Sequence, residues 1–200
     1  MRATPGKLAP EVRERLEAEI ATLLDAGDLE RVATAALRGF GPEILGFLYR
    51  TMGDDDLGDE VFGEFCEDLW KGIARFERRS RFTTWAYGLA WHAACRHWRS
   101  PWQKRRKALA TDAAHGIAEQ VRSRTATYQR SEAKAWLAKL REGMKAEDLA
   151  LISLRLDQNL PLEEIAIILD VKHDALRQRW SRLKRKLAEL ARDFQGPSGE

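Results

Sequence analysis

The chain has 200 residues, of which 44% are hydrophobic and 32% charged, which is enough apolar material for the cores of one or two domains. No apolar run approaches the length of a membrane span and the N-terminus lacks a signal-peptide core, so we expect a cytoplasmic protein without membrane insertion. Cys66 and Cys95 have no CxxC spacing and are expected to be reduced core thiols rather than a disulfide or a metal site.

Charge is distributed unevenly along the chain. Residues 1–70 contain 7 basic and 16 acidic side chains, whereas residues 71–200 contain 27 basic and 15 acidic side chains. Together they give the net charge of +3. An acidic half and a basic half favour two different partners. The basic half suits nucleic acid, whereas the acidic half would be repelled by phosphates and is better matched to a protein.

The apolar spacing is helical throughout, and alternating strand patterns are absent, so the sequence predicts an all-α chain. The expected helices cover residues 10–24, 29–40, 42–52, 61–73, 82–99, 131–141 and 145–157, followed by a helical pair within 160–190. In the helix at 145–157, Leu149, Ile152 and Leu156 are expected to face inward. Small, weakly patterned residues after Pro101 indicate a flexible interdomain linker.

The helix expected at 61–73 is strongly acidic on one side. Its inward positions are apolar, whereas the approach and the outer face carry Asp54, Asp55, Asp56, Asp59, Glu60, Glu64, Glu67 and Asp68, with no basic residue among them. The charge pattern fits two interpretations equally well. The face is either simply solvated, or it is a docking face for a basic partner helix.

Basic and aromatic residues are interleaved in residues 75–107, which contain ten Lys or Arg side chains and the single acidic residue Glu77. Basic grooves with aromatic stacking platforms are typical of single-strand binding. Aromatic residues at helical spacing are usually core, which we favour for Trp85, whereas for Trp91 and His92 we favour a surface role. His92, Cys95 and His97 are not expected to bind metal, because His97 faces elsewhere on the helix and no fourth ligand is near.

Residues 160–190 predict a helix-turn-helix. Pro161, Glu163 and Glu164 suit the start of a first helix, and Asp170-Val171-Lys172 interrupts it. The second helix has an apolar stripe at Leu176, Trp180, Leu183, Leu187 and Leu190, with basic and amide side chains between these positions. One face is therefore core and the other could enter the major groove. The alternative is an amphipathic surface helix on an unrelated bundle.

Two of these segments resemble the extracytoplasmic-function (ECF) sigma factors, within the sigma-70 family of bacterial RNA polymerase initiation factors. RFERRSRFTTWAYGLAWHAACRHWR is similar to the promoter-melting and −10-reading segment, with matches at Phe76, Phe82, Thr84, Trp85, Tyr87 and Ala90. LPLEEIAIILDVKHDALRQRWSRLKRKL is similar to the −35-reading segment, with matches at Leu160, Glu163, Glu164, Ile165, Ala166, Ile168, Leu169, Arg179 and Arg182.

The chain departs from the family pattern at four places. Trp91-His92 replaces an Arg-Asn pair on the −10-reading helix, and Gly63 replaces a Gln on the polymerase-binding helix. Asp170 stands where the turn usually has Gly, and Asp still tolerates left-handed geometry. Lys172 stands where a capping Ser is usual and cannot accept a hydrogen bond from a backbone N–H.

The resemblance implies two small helical domains, sigma region 2 and sigma region 4, joined by a flexible linker. The corresponding ranges are an N-terminal tail and helix at 1–24, region 2 at 25–100, the linker at 101–130, region 4 with its helix-turn-helix at 131–195, and a tail at 196–200. The resemblance also favours a docking role for the acidic face, because in such proteins the corresponding helix packs on a basic coiled coil of the polymerase.

The family roles fall on three groups of residues. Binding of core RNA polymerase is expected at Asp55, Asp56, Asp59, Glu60, Glu64 and Glu67. Contacts with −10 DNA and melting are expected at Arg75, Arg78, Arg79, Arg81, Thr84, Trp91, His92 and Arg96. Recognition of −35 DNA is expected at Lys172, His173, Arg177, Gln178, Arg179, Arg182 and Lys186.

The function expected is that of an alternative sigma factor, a non-enzymatic bacterial protein without a cofactor. Its expected partners are the largest and second-largest subunits of core RNA polymerase, double- and single-stranded promoter DNA, and an anti-sigma protein. The alternative is a stand-alone helix-turn-helix transcription regulator, which leaves the acidic helix and the aromatic-basic segment unexplained. A nuclease is disfavoured, because the basic region has no clustered carboxylates, no Ser/His/Asp arrangement and no phosphate-binding loop.

Overall fold

The computed structural model describes residues 8–99 and 143–194, which we call the N-terminal and C-terminal segments. They contain helices and turns but no strand, which confirms the all-α prediction. The helices are α1 (Pro10–Asp25), α2 (Leu29–Met52), α3 (Asp55–Gly72), α4 (Phe82–Arg99), α5 (Ala146–Ile152), α6 (Leu162–Leu169) and α7 (His173–Phe194). The linker expected at 101–130, the helix at 131–141 and the tail at 196–200 lie outside the described residues.

One long helix, α2, replaces the two helices expected at 29–40 and 42–52, so that division was wrong. Pro42 lies inside α2 and Gly41 precedes it. Proline disfavours helical geometry in the residue before it by clashing with that residue's Cβ, and glycine has none. Phe40, Ile44 and Leu45 around this point are at most 1% exposed, so packing holds the helix together despite the missing N–H.

The acidic helix α3 begins six residues earlier than the apolar spacing predicts, because a capping residue sets its start. Gly53 ends α2 in a left-handed conformation, with φ of 81°. The side chain of Asp54 then accepts a hydrogen bond from the N–H of Leu57 at 3.0 Å, which caps α3. Asp55 and Asp56 therefore lie in the first helical turn, where the helix dipole favours negative charge.

The N-terminal segment packs α3 and α4 against α2, with α1 lying across α2 and the start of α4. Its core includes Phe47 and Tyr87, whose rings meet edge to face at 5.5 Å. Phe76 ends the short 3-10 turn Ile73–Arg75 and packs between Phe82 and Trp85, with ring centroids 5.2 and 5.0 Å away. Trp85 is half-buried in this cluster, in agreement with its expected core role.

The C-terminal segment begins with α5, which continues into the π-helical turn Ser153–Asp157. The N–H of Gln158 donates to the carbonyl of Ser153 at 3.2 Å, the five-residue spacing of a π turn. This wider turn breaks the 3.6-residue period. Leu156 is consequently 58% exposed, contrary to the prediction that it faces inward, whereas Leu149 is buried as expected.

The C-terminal segment packs directly on the N-terminal segment, with α5 against α2 and α6 against α4. Ala150, Leu151, Leu154 and Ile165 are fully buried, in one cluster with the core of the N-terminal segment. None of the helices in residues 8–99 and 143–194 is long and apolar enough to cross a membrane.

Candidate protein- and nucleic-acid-binding surfaces

The acidic surface of α3 is directed outward mainly at its N-terminal end. Asp55 and Asp56 are exposed, whereas Asp59, Glu60, Glu64 and Glu67 are half-buried. The hydroxyl of Tyr49 donates to Asp59 at 2.8 Å, and Lys71 pairs with Glu67 at 2.9 Å. These internal contacts hold two of the six carboxylates in place on the helix.

Arg96, which is expected to contact DNA, extends from α4 onto this acidic surface. Its guanidinium lies 3.6 Å from Glu64 and contacts Asp68. Burial raises the pKa of Glu64, and the positive charge of Arg96 partly opposes that shift. Arg96 thus joins the helix of the expected DNA contacts to the helix of the expected polymerase contacts.

Helix α4 begins at a cap supplied by α1. Both carboxylate oxygens of Glu17 accept backbone hydrogen bonds, from the N–H of Phe82 at 3.0 Å and of Thr83 at 2.9 Å, and Thr83 also donates its hydroxyl to Glu17. A carboxylate at this end of a helix satisfies unpaired N–H groups and complements the dipole. Nothing in the sequence identifies this partner, because Glu17 and Phe82 are 65 positions apart.

Three of the four arginines before α4 that are expected to contact −10 DNA are paired with nearby carboxylates. Arg78 pairs with Asp25 at 2.7 Å and Arg79 with Glu77 at 2.8 Å. Arg81 contacts Glu14, and this hydrogen bond raises the pKa of the Arg81 guanidinium. Arg75, Arg78, Arg79 and Arg81 are nevertheless all exposed. They form one basic edge beside the N-terminus of α4, with the acidic side chains of α1 alongside.

Four residues of α4 have expected DNA roles, namely Thr84, Trp91, His92 and Arg96, and of these only His92 is exposed. Thr84 is 2% exposed and donates its hydroxyl to Glu164 of α6 at 3.0 Å. Trp91 is 5% exposed, which differs from its expected surface position. Its ring packs against Trp98 at 5.5 Å, and Trp98 is the more exposed member of the pair at 39%. The physical reason is that Trp91 lies on the inward side of α4 with Tyr87 and Ala94.

The helix-turn-helix geometry is formed by α6, a three-residue turn and α7. Asp170 adopts the left-handed conformation, with φ of 52°, as its turn position requires. The N–H of Val171 donates to the carbonyl of Ala166 at 3.0 Å, the hydrogen bond of a Schellman helix end. Leu176 and Leu183 are buried and Trp180 is half-buried, which confirms the predicted apolar stripe.

The outer face of α7 carries most of the residues expected to read −35 DNA. Five are exposed: Lys172, Arg177, Gln178, Arg182 and Lys186. His173 is half-buried and lies 3.2 Å from Glu163, and Lys186 donates to the carbonyl of Gly143. Arg177 and Gln178 therefore share one accessible surface with Arg182 and Lys186.

Arg179 differs from its neighbours on α7, because it is directed at α5. Its Nε donates to Asp148 at 2.7 Å, and its Nη2 lies 3.5 Å from Glu147. The side chain is 29% exposed. Arg179 therefore connects α7 to α5. Its match to a residue of the family pattern does not predict this contact.

Comparison with known proteins identifies one family. The model of sigma-70 region 2 matches residues 37–106, which include the last two thirds of α2, all of α3, the basic edge and all of α4. No curated protein matches the chain. The acidic surface and the basic edge thus both fall within the matched range.

Proposed function

Since the chain is a sigma-70 family sigma factor by its region 2 at residues 37–106, with a role in promoter recognition and transcription initiation, we propose that it is an alternative sigma factor of the ECF type. It would bind core RNA polymerase, recognise promoter DNA and assist strand separation. The family match over α3 and α4 carries this proposal, because it covers the expected polymerase-binding and melting elements together.

The docking role is assigned to the acidic surface of α3. An exposed carboxylate group at its N-terminal end complements a basic partner, and such complementarity mainly increases the association rate and selects the partner. Asp55 and Asp56 are the outermost candidates, and Glu60 lies half-buried one turn farther along the helix. Asp59 and Glu67 contribute as carboxylates oriented by Tyr49 and Lys71.

The DNA roles are divided between two surfaces. The basic edge at Arg75, Arg78, Arg79 and Arg81, with His92 on α4, is proposed to hold −10 DNA during melting. The exposed face of α7 is proposed to enter the major groove at the −35 element, since its apolar stripe faces the core and its polar face is accessible. The proposed region 2 at 25–100 and region 4 at 131–195 would thus read separate promoter elements.

The remaining parts of the proposal follow the family. The partners would be both large subunits of core polymerase, promoter DNA and an anti-sigma protein, in the bacterial cytoplasm. The chain would act without enzymatic activity or cofactor. The competing possibility is a helix-turn-helix regulator that does not bind polymerase, but it gives no role to the matched region 2.

The decisive experiment is run-off transcription with purified core polymerase on a promoter library. We expect transcripts that depend on the chain, share upstream and downstream sequence elements, and are absent with core polymerase alone. A chain that binds DNA but neither assembles with core polymerase nor supports transcripts would contradict the proposal and favour the stand-alone regulator.

A further inference from the structure

Helix α1 carries three carboxylates that contact the chain around the start of α4. Glu14, Glu17 and Asp25 lie along one side of α1, because their spacing brings them close to the same direction on a helix. Glu14 contacts Arg81, Glu17 accepts the hydrogen bonds at the start of α4, and Asp25 pairs with Arg78. One side of α1 therefore follows the chain from the basic edge into α4.

The contact of Glu17 fixes where α4 begins. Glu17 is half-buried, and its two carboxylate oxygens accept from the N–H of Phe82 at 3.0 Å and of Thr83 at 2.9 Å. A contact through both oxygens restrains direction as well as distance. The N–H of Trp85 donates to the carbonyl of Arg81 at 3.1 Å, so Arg81 directly precedes the first turn of α4. The position of Arg81 consequently follows that of the turn held by Glu17.

The loop that contains the basic edge is also held at its other end. Phe76 packs between Phe82 and Trp85, with ring centroids 5.2 and 5.0 Å away. Arg78, within the loop, has a φ of 57°, a left-handed conformation that a residue with a Cβ rarely adopts. Its side chain pairs with Asp25 of α1 at 2.7 Å. The loop thus has a defined shape that depends on its contacts with α1.

These contacts orient the arginines of the basic edge without covering them. The oxygens of Glu17 are occupied by backbone N–H groups and a hydroxyl, not by a guanidinium. Arg78 and Arg81 reach α1 through Nη2, and their side chains remain 47% and 40% exposed. A guanidinium has further N–H donors that can bind a phosphate or a base. An arginine that is already oriented loses less conformational freedom when it binds a DNA strand.

We propose that α1 is part of the surface that holds −10 DNA, and that Glu17 is a positioning residue for the basic edge, with Glu14 and Asp25 orienting its arginines. This inference rests on the proposed function, which assigns an unpaired DNA strand to the basic edge. The match to sigma-70 region 2 begins at residue 37, after the end of α1, so it gives this helix no role.

The test separates the geometry of Glu17 from its charge in variants of the full chain. Glu17→Asp keeps the charge but shortens the side chain, so that the contact with α4 is weakened at constant charge. Glu17→Gln removes the charge and keeps the length and one acceptor oxygen, whereas Glu17→Ala removes the charge and the acceptor. Each pair, Glu17→Asp with the parent and Glu17→Ala with Glu17→Gln, has equal charge. Glu19→Ala removes an exposed carboxylate of the same helix as a control.

Each chain is assembled with core polymerase, and fluorescence anisotropy measures its affinity for a labelled oligothymidine strand, with core polymerase alone as the background. Circular dichroism verifies that the variants are folded at the assay temperature. We expect Glu17→Ala to bind the strand about threefold to tenfold more weakly than Glu17→Gln, because arginines that are no longer oriented must be ordered on binding. Glu17→Asp should bind more weakly than the parent, and Glu19→Ala should match the parent.

Equal strand affinities within both charge-matched pairs would overturn the positioning role, and an equal rise in Glu17→Gln and Glu17→Ala would show that Glu17 acts through charge alone. Should Glu17→Ala unfold, the comparison of Glu17→Asp with the parent decides the question. If the parent does not assemble with core polymerase, the proposed function is wrong. The same comparison on the free chain then decides whether Glu17 positions the basic edge.

Discussion

At the scale of single residues, the contribution of a buried side chain to stability depends on whether its hydrogen-bonding groups have partners. Tyr87 and His97 are nearly or fully buried, and neither side chain has a hydrogen-bond partner among the described residues. Tyr49, by contrast, is half-buried and donates its hydroxyl to Asp59. The same phenol group is therefore expected to contribute oppositely to stability at positions 49 and 87.

Tyr87→Phe is expected to leave stability unchanged or to raise it by about 1 kcal/mol, since it removes a buried hydroxyl that has no partner. Tyr49→Phe is the matched control and should lower stability by about 0.5–1.5 kcal/mol through loss of its hydrogen bond. Urea denaturation of both variants measures the two free energies of unfolding. A clear loss of stability in Tyr87→Phe would show that its hydroxyl is paired.

Variants of two exposed residues of α7 are expected to distinguish base reading from phosphate contact. Arg177→Ala is expected to relax −35 specificity, because a bidentate arginine–guanine contact contributes about 1–3 kcal/mol of discrimination. Lys186→Ala should instead weaken binding evenly and reduce the logarithmic salt slope by about 0.9. Reconstituted holoenzyme binding to a library of −35 sequences at two salt concentrations measures both effects. Preserved sequence preference in Arg177→Ala would remove its role as a base reader.

At the scale of helices, the point where a helix starts and the distance at which two helices pack depend on residues of neighbouring helices. The start of α4 is held by Glu17 of α1, and the approach of α2 to α3 is held by Gly58. A Cβ at position 58 would lie 2.4 Å from the ring of Tyr49, and the backbone of Tyr49 is 3.4 Å away. At Gly88 of α4 a Cβ would meet nothing within 4 Å.

Glu17→Ala should release the first turn of α4, with a loss of about 0.5–2 kcal/mol typical of a removed N-cap. Amide hydrogen exchange of Phe82 and Thr83 should accelerate. Glu14→Ala, which removes an exposed partner of Arg81 from the same helix, should leave these amides protected, because exposed pairs contribute little. Equal exchange in the parent and in Glu17→Ala would refute the capping role.

The two helical glycines provide a matched pair of substitutions. Gly58→Ala is expected to destabilise the fold by about 1–3 kcal/mol through overpacking between α2 and α3. Gly88→Ala should stabilise it by about 0.4–1 kcal/mol, since alanine restricts the unfolded chain and meets no obstacle. Thermal unfolding of both variants tests the pair, and a stabilising effect of Gly58→Ala would mean that Tyr49 can move aside.

At the scale of the whole molecule, the acidic and basic halves of the chain are proposed to bind different partners. The acidic side chains of α1 also lie beside the arginines of the N-terminal segment. The effect of a change in overall charge on binding could therefore be mistaken for the loss of a specific binding surface. A docking test needs a control with the same change in charge at another exposed position.

Asp56→Lys with Glu60→Lys is expected to slow holoenzyme assembly by at least about tenfold, since complementary charges accelerate association. Glu11→Lys with Glu19→Lys changes the net charge equally on exposed positions of α1 and should have a much smaller effect. Stopped-flow association with labelled core polymerase measures both rates. If the two double variants behave alike, α3 is not the docking surface.

The sequence by itself determined the helical class, most helix positions and which face of α7 is buried. The bounds of α4 agree with the prediction, and the apolar stripe of α7 identified Leu176 and Leu183 as core. These features depend on local spacing, capping and turn chemistry, which lie within a few residues of each other. Asp170 could likewise be identified as the turn residue, because its left-handed conformation is a local requirement.

Only the tertiary structure decided which polar residues meet across helices. Pairing of Arg96 with α3, of Arg179 with α5 and of Thr84 with Glu164 depends on how distant elements pack. The same is true of the burial of Trp91 and of the continuity of α2 through Pro42. Helical periodicity shows which side of a helix is apolar, but it contains no information about which neighbour covers that side.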